Sequence, residues 1–139
     1  MSLLLSEDQI AVHVNHLADR IATRHADESF GDFICVILMD GAMVFAADLL
    51  RALYRRSIDP EVTSLGLSSY GHGRESSGTV TVSNDSKADF KGRTVLIFDD
   101  VLESGRTLDF AKKYLSTRGA SRVMACVFAQ KPDDDCQSV

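Results

Sequence analysis

At 139 residues the chain has room for one domain with a single core, and its 45% hydrophobic and 25% charged residues are those of an ordinary globular protein rather than a disordered one. Fifteen Lys and Arg against twenty Asp and Glu leave a net charge of −5, which argues against a general binder of nucleic acid or membrane surfaces, since both need a basic face. No apolar run approaches the ~20 residues of a membrane span.

The predicted elements alternate. Ser6 followed by Gln9 has the spacing of a capping box, and Ile10, Val14, Leu17, Ala18 and Ile21 then form an apolar stripe at helical spacing. Phe33 to Met39 is a continuous apolar run of strand length, the pattern of a strand buried on both faces in a parallel sheet. Asp40-Gly41 breaks it, and Phe45, Ala46, Leu49, Leu50 and Leu53 form a second helical stripe. Val62 to Leu67 and Thr94 to Phe98 read as further strands. A helix through Leu108, Ala111 and Leu115 is stopped by Gly119, and Val123 to Ala129 is a last strand. Strands alternating with helices imply βαβ units, so the expected fold is α/β, an open and mostly parallel twisted sheet in a single domain over residues 1–139. Residues 68–93 interrupt the rhythm. Ser68 to Gly78 has little to bury, Thr79 to Val82 alternates like a hairpin arm, and Ser83-Asn84-Asp85-Ser86 reads as a turn. A polar segment this long, about 68–83, is either an active-site lid or a mobile surface loop.

The segment from Val95 to Leu108 carries the chemistry. A buried strand ends in two carboxylates, Asp99 and Asp100, and after Val101-Leu102-Glu103 a Ser104-Gly105-Arg106-Thr107 turn opens a helix. Ligands of open α/β sheets sit at the carboxyl ends of strands, and a helix N-terminus with glycine in its first turn suits a phosphate. The two carboxylates suit hydroxyl groups or a hydrated Mg²⁺ instead, so the pairing points to a phosphorylated sugar. Each half also has a plain reading: Asp-Asp can simply end a strand, and Ser104 can simply cap a helix.

The same segment resembles the phosphoribosyl-pyrophosphate signature of type I phosphoribosyltransferases. Three further segments resemble their hypoxanthine (hypoxanthine-guanine) branch: Leu67 to Tyr70 with Ser76 to Val80 as the catalytic loop, Met39 to Ala42 at the pyrophosphate loop, and Lys131 just past the last strand. The resemblance implies a Rossmann-like type I phosphoribosyltransferase fold. It also implies a glycosyltransferase (pentosyltransferase) of purine salvage that moves ribose 5-phosphate from phosphoribosyl pyrophosphate to a 6-oxopurine, hypoxanthine or also guanine, giving IMP or GMP. Carried over by position, Glu103 to Thr107 would hold the 5′-phosphate, with Ser104, Gly105 and Arg106 in its loop. Asp99 and Asp100 would bind the ribose hydroxyls and position Mg²⁺. Asp40 and Gly41 would meet pyrophosphate, Ser69 and Tyr70 would form the lid, Lys131 would contact the exocyclic oxygen of the base, and Glu103 would be the catalytic group at the purine N7 proton. A homodimer or homotetramer is implied as well. Cys35, Cys126 and Cys136, odd in number and without metal or redox spacing, are expected as reduced thiols in a cytoplasm, and Met1 to Gln9 has neither the basic region nor the long apolar region of a secretory signal.

Two positions depart from the family pattern: Asp40 stands where a basic residue is common, and Glu103 is one methylene longer than the usual Asp. The family also continues past Lys131 with a hood over the base that has no counterpart here, as expected of a truncated form. A catalytically weakened nucleotide sensor with the same fold is the alternative reading. His13 and His16 are expected on solvated helix faces, Asp133-Asp134-Asp135 in a solvated tail, and Met39 and Met43 in the core.

Overall fold

A computed structural model describes residues 6–39, 42–70, 79–102 and 105–130. In chain order the elements are α1 (Glu7–Glu28), β1 (Ile34–Met39), α2 (Met43–Tyr54), β2 (Glu61–Tyr70), β3 (Thr79–Asn84), β4 (Thr94–Leu102), α3 (Arg106–Thr117) and β5 (Arg122–Gln130). No described helix is long and apolar enough to cross a membrane.

α1 begins where its sequence dictates. The Ser6 hydroxyl accepts from the Gln9 backbone N–H, and the Gln9 side chain accepts from the Ser6 N–H, so the capping box is closed in both directions. Val14, Leu17, Ala18 and Ile21 of the stripe are buried. The five strands form one sheet in the order β3-β2-β1-β4-β5, parallel throughout except for β3, which pairs antiparallel with β2. Strands with helices on both faces must be apolar on both faces. In β4, Leu96 and Phe98 pack with α1 and α2, while Val95 and Ile97 pack with Leu108, Ala111 and Leu115 of α3. All four strand residues are fully buried, worth about 1.5–3 kcal/mol each.

From the central pair β1–β4 the chain steps outward in opposite directions, through α2 to β2 and through α3 to β5. Right-handed crossovers then place the two helices on opposite faces, as observed, and the β1–β4 seam becomes the switch point of the topology.

Several boundaries move from where local pattern places them. Thr79 to Val82 is a hairpin arm, as its alternation predicts, but β2 runs on to Tyr70 and β3 to Asn84, so Ser68 to Tyr70 form the other arm rather than loop and the turn begins after Asn84. Backbone pairing across the hairpin supplies the hydrogen bonds of a segment with little to bury. β4 continues four residues past Phe98, because β5 remains alongside to pair with it. Met43 is 52% exposed at the start of α2, not in the core, and Met39 is half-buried. His13 is half-buried against Phe128 rather than solvated, since its position falls on the stripe side of α1. Asp133 to Asp135 lie outside the described residues.

Candidate active site

The strands of the sheet do not end level. β1 stops at Met39, which pairs with Gly66, while β2 runs on through Leu67 to Tyr70. Ile37 pairs with Phe98, which sets Met39 level with Asp100, and β4 runs on through Val101 and Leu102. The central strand is therefore shorter than both neighbours, and a notch opens at the carboxyl edge directly over the switch point. Among the described residues the rungs between β1 and β4 end at Ile37–Phe98, whereas the other edge of β4 stays paired through Asp99–Val127, Val101–Ala129 and Leu102–Gln130.

Asp99 and Asp100 stand at this notch. Strand alternation carries Asp99 onto the α3 side, with Val95 and Ile97, and Asp100 onto the side of α1 and α2, with Leu96 and Phe98. The Asp99 carboxylate accepts the Asp100 backbone N–H at 3.0 Å. Burial pushes its pKa from 3.8 up to about 6; the Asp100 N–H bond pulls the other way, and the Asp100 charge adds to the rise. A half-buried carboxylate with its charge disfavoured in the free protein is a group prepared for a ligand.

α2 and α3, which start at this edge, have no side-chain cap among the described residues. α2 begins at Ala42 with no side-chain cap hydrogen bond, and α3 begins at Gly105, likewise uncapped, with φ 78 and ψ −4. α1, by contrast, has the complete capping box. Uncapped N-termini present N–H donors and the positive end of the helix dipole, the requirement for binding phosphate. Arg106 and Thr107 are exposed in the first turn of α3.

Among the described residues no group of three or more His, Cys, Asp or Glu could enclose an ion. Two carboxylates at an open edge fit Mg²⁺ all the same, because that ion keeps several waters and takes its remaining ligands from substrate phosphates. A cavity of about 1220 Å³ lies at the opposite, amino edge of the sheet, lined in part by His25, Ser29, Asp32, Ser57, Glu61 and Arg93. The C-terminal ends of α1 and α2 and the acids Asp32, Asp59 and Glu61 surround it, so it disfavours a polyanion.

Of the residues singled out in the sequence, the structure brings Asp99, Asp100, Gly105, Arg106 and Thr107 to this one edge. Ser69 and Tyr70 reach it as the last backbone rungs of β2, paired with Val80 and Thr79. Asp40, Gly41, Glu103, Ser104 and Lys131 lie outside the described residues. Sequence reasoning ended β1 at Met39, as observed, but ended β2 at Leu67 and β4 at Phe98, and so missed that the central strand is the shorter one.

The family profile of the phosphoribosyl transferase domain matches residues 4–137. The chain belongs to the phosphoribosyltransferase family. Its phosphoribosyltransferase relatives include the hypoxanthine-guanine phosphoribosyltransferase of Aquifex aeolicus, 35% identical over 96% of this chain and 72% of that protein. The enzyme of the same name from Mycobacterium avium is 34% identical over 95% of this chain and 65% of that protein. The chain thus spans about two thirds of the length of these relatives. The fold superposes on a mutant Trypanosoma cruzi hypoxanthine phosphoribosyltransferase complexed with the product IMP, with a TM-score of 0.82, 24% identity and coverage of 96% of this chain and 79% of that one.

Proposed function

We propose that this phosphoribosyltransferase is a purine-salvage enzyme, a pentosyltransferase that moves ribose 5-phosphate from phosphoribosyl pyrophosphate to a ring nitrogen of hypoxanthine or guanine. The products would be IMP or GMP and pyrophosphate. One observation carries the reading: the two carboxylates of β4 and the glycine-led N-terminus of α3 meet at the switch point, over a central strand that stops short.

In this reading the backbone N–H groups at Gly105 to Thr107, with Ser104 and the charge of Arg106, hold the 5′-phosphate. Asp99 and Asp100 accept from the ribose hydroxyls, each from its own side of β4, and are the residues that would hold Mg²⁺. What a Mg²⁺ ion supplies when bound is neutralisation of the departing pyrophosphate, which an oxocarbenium-like transition state needs more than a strong nucleophile. Asp40 and Gly41 would meet the pyrophosphate through their backbone, Lys131 the exocyclic oxygen of the base, and Glu103 the N7 proton. Ser69 and Tyr70, at the end of the hairpin arm, would exclude water that otherwise hydrolyses the donor. A homodimer or homotetramer in the cytoplasm belongs to the same reading; the free, buried thiols of Cys35 and Cys126 accord with a reducing compartment.

Initial rates with hypoxanthine, phosphoribosyl pyrophosphate and Mg²⁺ test it. Donor-dependent IMP formation that stops on chelating Mg²⁺ is the expected result. The nucleotide sensor, the reading that Asp40 and Glu103 favour, predicts nucleotide binding without turnover. Neither binding nor turnover with any 6-oxopurine would contradict both.

A further inference from the structure

β5 is an edge strand, paired with β4 on one side only. Backbone groups on its outer side must find partners elsewhere. α1 ties it down near both ends. At the start of the strand Arg122 pairs with the Glu28 carboxylate at 2.7 Å, and its guanidinium lies 5.0 Å over the Phe30 ring. Near the other end, Nε2 of His13 hydrogen-bonds the carbonyl oxygen of Phe128. A carbonyl only accepts, so this nitrogen carries the proton. The two rings meet edge to face with centroids 4.9 Å apart, and Phe45 backs Phe128 at 5.2 Å. Phe128 falls between the rungs Asp99–Val127 and Val101–Ala129, beside the carboxylate pair. The hydrophobic attachment of α1 is carried by Val14, Leu17, Ala18 and Ile21, so the fold does not need the imidazole.

We infer that His13 is a positioning residue: its hydrogen bond to Phe128 fixes the last rungs of β5 against the Asp99–Asp100 end of β4, and with them the strand end that Lys131 follows in the sequence. The kinetic consequence rests on the purine phosphoribosyltransferase reading above; the structural tie does not.

Two variants and two measurements test it. His13→Ala removes the donor, and His13→Gln restores an amide N–H at similar reach. Amide hydrogen exchange on the whole protein is expected to speed up about tenfold at Phe128 to Gln130 in His13→Ala and to stay unchanged at Arg122 to Ala125, with His13→Gln returning it. KM for hypoxanthine is expected to rise about three- to tenfold, the factor a single hydrogen bond carries, while KM for phosphoribosyl pyrophosphate stays within about twofold. Unchanged exchange at Phe128 to Gln130, or acceleration spread along all of β5 that glutamine does not rescue, would overturn the tie. Unaltered kinetics in an active His13→Ala protein would overturn the positioning role. Inactivity of the unmutated protein would instead overturn the purine reading and the kinetic consequence with it, the tie still being decided by exchange.

Discussion

Burial holds the Asp99 carboxyl up at about 6, against an ordinary 3.8, so the free protein is disfavoured by its own site residue. Below about pH 4 folded and unfolded chains both bind the proton and no penalty arises. Between there and about pH 6 the folded chain keeps a proton that the unfolded chain has released, so stability falls as pH rises, and above that window the loss is complete. Asp99→Asn removes the charge. Thermal unfolding without divalent ions should show the variant more stable than the parent at pH 7.5 and no more stable at pH 4, while its activity is lost. Equal melting curves at pH 7.5 would mean that Asp99 is not strained in the free protein. Glu103 carries a separate test of the proposed chemistry. Glu103→Gln keeps the size of the side chain without its basicity and should lower kcat about 10²–10⁴-fold with little change in donor affinity, as for a general acid–base group, whereas Glu103→Asp should keep activity. Steady-state kinetics decide this, and an unaltered kcat in the amide variant would remove Glu103 from the mechanism.

Between elements, two junctions hold the site in shape. The first is the turn from β4 into α3, where Gly105 takes φ 78 at the N-cap, a conformation costing other residues about 1–2 kcal/mol. Gly105→Ala should lower unfolding stability by that amount in urea titrations and weaken donor binding; a variant as stable as the parent would show the turn unstrained. The second junction ties α3 to the base of the β2–β3 hairpin. Arg118 donates to the Asp85 carboxylate at 2.9 Å and to the carbonyls of Ser86 and Ala88 at 3.1 Å each, with its guanidinium 5.0 Å over the buried Phe90 ring. Tyr114 donates to the other Asp85 oxygen. Arg118→Ala leaves two carbonyls without this donor and should cost about 2 kcal/mol in the same titrations, with Arg118→Lys recovering only part because one ammonium cannot span the set. A loss under about 0.5 kcal/mol in Arg118→Ala would show solvent replacing the arginine at no cost.

Across the whole molecule, what was legible was whatever is written locally. The capping box at Ser6 and Gln9, the strand core Val95 to Phe98 and the glycine turn before α3 are short-range patterns, and the structure has them in place. What depends on a partner strand was not legible. The extension of β2 to Tyr70 and of β4 to Leu102 comes from rungs with β3 and β5, and the notch exists because β1 stops earlier, a comparison between distant segments. His13 was half legible: it sits three residues after Ile10 and four before Leu17, on the apolar side, but only the fold shows that Phe128 is its partner. In the proposed function the carboxyl edge over the β1–β4 seam is the nucleotide site, and a crystal structure with IMP tests this most directly. The 5′-phosphate is expected against the backbone N–H groups from Gly105 to Thr107 and the ribose hydroxyls at Asp99 and Asp100. IMP bound instead at the amino-edge cavity beside His25 and Arg93, with the α3 N-terminus bare, would contradict it.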